Sequence, residues 1–216
     1  MFIGHFAIGF ASKKAAPNAS LGALIAAPIF LDMLWPIFLL LRWEQVRIHP
    51  GDTKFTPLEF VSYPISHSMV TAVGWSILFA AVYWAVSKYK RGAIVVAIGV
   101  FSHWILDVVS HRPDMPIAPG MSLKVGLGLW NSVAATCVVE ASMFVLAVWI
   151  YGSMTRPKDR IGRFSYLAYV VFLAIMYVAN VFSPPPPSVH AIAVFSLFVW
   201  LFPIWAAWFD AHRVAL

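Results

Sequence analysis

The sequence predicts an all-α protein, a polytopic membrane helix bundle of about six transmembrane helices preceded by a short N-terminal half-helix. Of the 216 residues, 61% are hydrophobic and only 11% are charged, whereas about a quarter of the residues of a soluble domain are charged. Apolar runs recur along the whole chain, and about 20 apolar residues are enough to cross a bilayer. This length suits a single integral membrane domain that comprises residues 1–216.

The apolar segments follow one another with short polar loops between them. The first, residues 2–11, is too short to cross and ends before Lys13 and Lys14, so it predicts a half-membrane helix. These two basic residues follow the apolar part instead of preceding it, which disfavours a cleaved signal peptide. The tract SPPPPS near the carboxyl terminus predicts a stiff polyproline connector. The predicted spans are 20–41, 65–87, 92–111, 127–151, 164–183 and 189–209.

The distribution of charge predicts the orientation of the bundle. Ten Lys and Arg residues fall in one set of loops and five in the opposite set. Cytoplasmic loops are enriched in basic residues, so both termini and the loop RPKDRIGR are expected in the cytoplasm. Because the net charge of +6 lies in these loops, nucleic acid is not an expected partner. The single cysteine, Cys137, excludes disulfide frameworks and thiolate metal sites.

Polar residues interrupt the apolar pattern most clearly in the stretch FSHWILDVVSHRPDMP. His103, Asp107 and His111 are spaced i, i+4, i+8, and each four-residue step turns a helix by only about 40°, so the three side chains share a face. His103 and His111 are nevertheless about 12 Å apart along the axis. Either the helix ends near Pro113, so that His111 and Asp114 fold back, or two metals share Asp107.

Other segments bring further ligand types to a similar depth. A rise of about 1.5 Å per residue places His5, Asp32 and His67 in the middle or outer half of the bilayer, where His103 and Asp107 also lie. A charged residue at a helix centre costs about 2.5–3.5 kcal/mol, and one divalent cation would neutralise two carboxylates. A set of histidines and carboxylates without thiolate favours zinc, with manganese or iron as alternatives.

The same residues resemble the bacterial membrane-bound metal-dependent hydrolase family. The HxxxD motif with a following histidine is also distantly similar to the soluble zinc-dependent phospholipases C. The resemblance implies a metal-dependent hydrolase and does not identify a substrate. It covers about residues 1–116 and is carried by His5, Asp32, the pair His67-Ser68 and SHWILD at 102–107.

Two features depart from the family pattern. Tyr63 and Pro64 precede the ISHS segment, where the family usually has His-Arg before Thr-His-Ser. The acidic pair that follows the first helix in the family is represented here by Asp32 alone. Metal binding is therefore better supported by the resemblance than catalysis is.

The leading hypothesis is a metal-dependent hydrolase of the bacterial cytoplasmic membrane, which acts on a lipid or a lipid-linked ester or phosphoester near the outer leaflet. The predicted metal ligands are His5, Asp32, His67, His103 and Asp107. The predicted acid–base groups or outer ligands are His111 and Asp114. Residues 1–116 would form the metal-site half, and 127–216 would add further spans.

Two alternatives remain open at this point. A proton- or ion-coupled transporter could use intramembrane acids and histidines, including Glu140, as a relay. A non-catalytic membrane scaffold would use the polar cluster only to lock helix packing. Glu140 lies near the middle of a predicted span, and it is either a further member of the cluster or a hydrogen-bonding group between helices.

Overall fold

A computed structural model describes residues 1–216, and it shows a bundle of nine helices. The five longest helices, α5 to α9, are long and apolar enough to cross a membrane. The predicted polytopic helical architecture is thereby confirmed. The helices are α1 (Ile3–Ala15), α2 (Leu21–Ala26), α3 (Phe30–Leu40), α4 (Pro64–His67), α5 (Met69–Ser87), α6 (Lys90–Ser110), α7 (Val133–Met154), α8 (Arg160–Phe182) and α9 (Val189–Ala211).

Three short antiparallel ribbons connect these helices, and the sequence did not predict them. They are β1 (Gln45–Ile48) with β2 (Leu58–Ser62), β3 (Met115–Pro116) with β4 (Lys124–Val125), and β5 (Thr155–Pro157) with β6 (Arg213–Ala215). We call the end of the bundle with the first two ribbons the hairpin end. The opposite end, with β5 and β6, is called the basic end.

The first predicted span, 20–41, is not one continuous helix. α2 stops at Ala26 and α3 begins at Phe30, with a turn between them. Pro28 lies in this turn, where it has no N–H to extend the hydrogen-bond ladder of α2. α3 is apolar but has only 11 residues, so five helices, and not six, are long enough to span a membrane. One of the five, α9, includes a 3₁₀ segment at Leu197–Trp200.

The first helix lies in the centre of the bundle. α1 packs mainly against α7 and also against α2 and α6. Its Phe6 and Phe10 are fully buried. The long helices, in contrast, expose apolar side chains such as Ile77 on α5 and Ile175 on α8, as expected where a helix faces lipid. The half-helix predicted for residues 2–11 is therefore part of the core, and the ionisable residues near it lie inside the protein.

A partly buried carboxylate ties the helices together at the basic end. Asp210 on α9 accepts hydrogen bonds from Nζ of Lys13 at 2.7 Å, from the backbone N–H of Leu21 at 2.9 Å and from the hydroxyl of Tyr151 at 2.7 Å. Residues from α1, α2, α7 and α9 thus meet at one side chain. Lys13 and the carboxyl-terminal residues lie at the same end, and the side of the membrane that this end faces stays a prediction.

Candidate functional site

Five of the predicted site residues converge toward the hairpin end, four of them buried and one, Asp32, with 41% of its side chain exposed. His5 comes from α1, Asp32 from α3, His67 from α4, and His103 and Asp107 from α6. The ligand atoms of His5, His103 and Asp107 lie within 4.8 Å of one another, as do those of Asp32, His67 and His103. His103 belongs to both groups, so the two groups form one cluster. The geometry that the sequence predicted is observed, and metal binding itself stays a prediction.

His103 is held by the turn between α2 and α3. Its Nδ1 lies 2.7 Å from the carbonyl oxygen of Pro28, and the side chain is fully buried. A carbonyl can only accept a hydrogen bond, so Nδ1 carries the proton and, in the neutral ring, Nε2 presents a lone pair. That nitrogen lies 2.9 Å from Oδ2 of Asp107, one helical turn further along α6.

His67 is held by a different device at the end of the short helix α4. Its Nδ1 lies 2.6 Å from Oγ of Ser66, and this hydroxyl donates its proton to Oε2 of Glu44, also at 2.6 Å. A serine has only one hydroxyl proton, so its oxygen accepts the N–H of His67. The Nε2 of His67 is therefore also a lone-pair nitrogen in the neutral ring.

The Nε2 atoms of these two histidines lie 3.1 Å apart, and each presents a lone pair when both rings are neutral. Two acceptors at this distance repel unless a proton or a metal ion lies beside them. Oδ1 of Asp32 lies 3.6 Å from the Nε2 of His67 and 3.8 Å from that of His103. Oδ2 of Asp107 lies 3.7 and 2.9 Å from the same two nitrogens.

The spacing of these atoms around the His67–His103 pair is that of ligands which can share one ion. Ligand bonds of about 2.1 Å to zinc place neighbouring ligand atoms about 3.4 Å apart. Five of the six distances among the four atoms run from 2.9 to 3.8 Å and bracket that value. The site combines two imidazoles and two carboxylates, which is a donor set that zinc accepts.

His5 meets the cluster from another side. Its Nε2 lies 3.1 Å from Oδ1 of Asp107, whereas the His67–His103 pair contacts Oδ2, and its ring stacks on His103 at 3.9 Å. The α-amino group of Met1 lies 2.5 Å from Oδ1 of Asp107. The Nε2 of His5 also lies 3.1 Å from the α-amino group of Met1, so it faces both a donor and an acceptor, while Nδ1 has no hydrogen-bond partner. Direct ligation by His5 stays a prediction.

His111 and Asp114 form a second polar unit just beyond the end of α6. Nδ1 of His111 lies 3.0 Å from Oδ1 of Asp114, and the hydroxyl of Tyr63 donates to the same oxygen at 2.9 Å. Burial raises the pKa of Asp114, but hydrogen bonds from His111, Tyr63 and Arg112 outweigh it and hold that pKa below its usual range. The ionised carboxylate keeps the proton on Nδ1 of His111, so Nε2 is the nitrogen that can accept one.

The chain turns after Ser110, as the first of the two sequence interpretations expected. The turn pairs His111 with Asp114 and does not bring either of them into the two groups of candidate ligands. Both units nevertheless open onto one cavity of about 170 Å³. Its polar lining includes Asp32, His67, Asp107 and His111, and its aromatic lining includes Trp35, Phe55, Phe60 and Trp130.

Glu140 lies apart from this cavity and contacts the beginning of α1. Its side chain is fully buried, and Oε2 accepts the backbone N–H groups of Phe2 at 2.8 Å and Gly4 at 3.1 Å. Such N–H groups in the first turn have no partner within their own helix. The sequence left two roles open for Glu140, a further member of the polar cluster or a hydrogen-bonding group between helices. The observed contacts are those of a hydrogen-bonding group between helices.

The sequence did not indicate which groups orient the histidines. These groups are Glu44, Ser66, the Pro28 carbonyl and Tyr63. Glu44 follows the first apolar run, and its side chain carries no motif that would have indicated a link to His67. The carbonyl of Pro28 carries no side-chain signal at all. These partners are non-local, and only the folded chain brings them to the rings.

Comparison with known proteins identifies the family. Residues 54–183 match the family described as YdjM inner membrane protein. The matched region includes three of the five predicted ligands and the His111–Asp114 pair, whereas His5 and Asp32 precede it. No curated protein and no solved structure matches the chain. The family description names a membrane location and no activity. Since the matched region is more than half of the chain, this protein belongs to the YdjM inner membrane protein family.

Proposed function

We propose that this inner membrane protein is a metal-dependent hydrolase that cleaves an ester or phosphoester of a lipid or lipid-linked molecule. The observation that carries the proposal is the close approach of Nε2 of His67 and Nε2 of His103, which lie 3.1 Å apart. Each ring has its other nitrogen tied to a fixed acceptor, and the carboxylates of Asp32 and Asp107 flank the pair. A metal ion at the centre of this arrangement would take both lone pairs and offset the charge of the carboxylates.

Asp32, His67, His103 and Asp107 would hold the ion, with His5 beside the other oxygen of Asp107, and the ion would take a water molecule as a further ligand. Zinc fits this donor set best, with manganese or iron as alternatives. A divalent ion bound there would lower the pKa of a water molecule to about 7 and polarise a carbonyl or phosphoryl oxygen.

The His111–Asp114 pair would supply the acid–base chemistry. Nε2 of His111 would take the proton from the attacking water, while Asp114 would stabilise the imidazolium that results. The same proton would then pass to the oxygen of the leaving group. Tyr63 would keep Asp114 in place through its 2.9 Å hydrogen bond, and the aromatic lining would exclude bulk water from the cavity.

The size and place of the cavity favour an amphiphilic substrate. Its volume of about 170 Å³ is smaller than the 300–1,000 Å³ or so of most small-molecule pockets. It can hold a scissile group and little more, so the remainder of the substrate would lie outside it. The basic end is predicted to be cytoplasmic, which would place the cavity toward the outer leaflet.

Metal analysis of the purified protein tests the proposal most directly. We expect about one equivalent of divalent metal in detergent-solubilised protein, and hydrolysis of chromogenic acyl-ester or phosphoester probes that stops on chelation and returns with zinc. His111→Gln should retain the metal and lose turnover, whereas His212→Ala at the basic end should change neither. Protein that neither retains nor rebinds a divalent metal would rule out the proposed function.

A further inference from the structure

Glu44 is a buried carboxylate that lies outside the candidate metal cluster. It immediately precedes β1, and only 2% of its surface is exposed. Oε1 accepts the backbone N–H of Ile65 at 2.8 Å and that of Ser66 at 2.7 Å. These N–H groups belong to the first turn of α4, where a helix offers them no internal partner. One oxygen of Glu44 thus anchors the short helix that ends in His67.

The other oxygen of Glu44 determines where the hydroxyl proton of Ser66 points. Oε2 and Oγ of Ser66 are 2.6 Å apart, and an ionised carboxylate can only accept. Ser66 must therefore donate to Glu44 and accept from Nδ1 of His67. The proton of the neutral ring is then on Nδ1, and Nε2 is free to bind an ion.

We propose that Glu44 is a positioning residue of the candidate metal centre, which acts through Ser66 to select the tautomer of His67 that can bind the ion. The inference rests on the proposed function, because it assigns a role toward the same ion. Partners that orient metal-bound histidines typically change metal affinity about 10–100-fold when they are removed. His103 uses the Pro28 carbonyl for the same purpose, so the two rings are oriented independently.

Glu44→Gln is the variant that distinguishes this role from simple support of α4. The amide oxygen of glutamine can still accept the N–H groups of Ile65 and Ser66, so the helix keeps its anchor. The amide nitrogen, however, replaces Oε2 and donates to Ser66. The hydroxyl proton must then turn toward Nδ1 of His67, and the ring proton moves to Nε2, where it blocks the ion.

The matched control is Glu59→Gln, which removes a carboxylate charge from the adjacent strand β2. Glu59 makes only long contacts, 4.0 Å to Arg47 and 3.8 Å to His49. A second variant, Ser66→Ala, leaves the anchor of α4 intact and removes the hydroxyl link. It should give a mixture of His67 tautomers, and it provides the same test should the glutamine variant fail to fold.

The experiment measures tautomer and affinity separately. ¹⁵N NMR of histidine-labelled, metal-free protein in micelles reports which ring nitrogen of His67 carries the proton, and competition with a chromophoric chelator measures zinc affinity. We expect Nδ1–H in the wild type and in Glu59→Gln, and Nε2–H with 10–100-fold weaker zinc binding in Glu44→Gln. An unchanged tautomer in Glu44→Gln and Ser66→Ala would overturn the inference. A wild type that has the expected tautomer and binds no zinc would overturn the proposed function instead.

Discussion

Replacing Glu140 by alanine and by glutamine separates two ways in which this side chain can stabilise the bundle. Oε2 accepts the N–H groups of Phe2 and Gly4, at 2.8 and 3.1 Å, from a fully buried position on α7. α1, which begins there, carries His5. Alanine removes the acceptor of both hydrogen bonds. Glutamine keeps an acceptor oxygen and removes only the negative charge.

The two substitutions should differ clearly in cost. A buried donor left without an acceptor costs about 1–3 kcal/mol, so Glu140→Ala, which strands two donors, should lower the free energy of unfolding by about 2–6 kcal/mol. Glutamine loses the attraction between a charge and the positive end of α1. That attraction is worth about 0.3–1 kcal/mol, or up to about 2 kcal/mol where it is partly buried.

Unfolding in mixed micelles, followed by circular dichroism, measures both effects. For a domain of 150–250 residues, about 1 kcal/mol moves the Tm by roughly 2–4 °C, so the alanine variant should be resolved easily. A glutamine variant as unstable as the alanine variant would refute the hydrogen-bond explanation. Ion flux in proteoliposomes that survives chelation and disappears in Glu140→Gln would favour the transporter hypothesis over the enzyme.

Three further predictions concern both ends of the bundle. His103→Ala and Asp107→Asn should each weaken zinc binding at least about 100-fold, or about 2.8 kcal/mol. Because the two residues serve one ion, the double variant should bind zinc little worse than either single variant. Additive losses in chelator competition would contradict a shared site. Asp210→Ala should lower the free energy of unfolding by about 3–5 kcal/mol, because Lys13 on α1 is buried and loses its carboxylate partner. A change below about 1 kcal/mol in chemical unfolding would contradict this prediction. Two hydrogen bonds lower the pKa of Asp159. The larger effect comes from the backbone N–H of Gly162 in the first turn of α8, and the smaller one from the ring of His212. Folding thus favours its ionised form, and the resulting stability is present above about pH 4 and lost as pH falls through the lowered pKa. Asp159→Asn should therefore lower the Tm near pH 7 and flatten its decline in acid, and an unchanged acid profile would contradict that role.

Much of the fold could be predicted because hydrocarbon imposes a strict length on helices that cross it. The runs at 65–87, 92–111 and 164–183 correspond to α4–α5, α6 and α8 with ends that differ by a few residues. The ribbons escaped prediction because each strand is too short to have a pattern of its own. β5 and β6, for example, pair residues that are more than fifty positions apart in the chain.

The convergence of the candidate ligands could be predicted from helical periodicity and depth. His103 and Asp107 share a face because they are one turn apart, and the others were assigned to the same level by the rise per residue. The orientation of each ring could not be predicted, because it depends on groups from distant parts of the chain. Glu44, for example, reaches His67 through Ser66, and nothing in the local sequence around the histidine indicates it.

The turn between α2 and α3 has a consequence for how a membrane protein can control a ring proton. In an unbroken span almost every main-chain oxygen is already used by the helix, and lipid supplies no hydrogen to one that is not. The interruption at Pro28 provides an oxygen that must find a donor, and His103 is that donor. The oxygen and the ring therefore depend on each other even when no ion is bound. If residues 21–40 formed one continuous helix, the Pro28 carbonyl would no longer be free to accept the N–H of His103. The proton of the neutral ring would then have no fixed position.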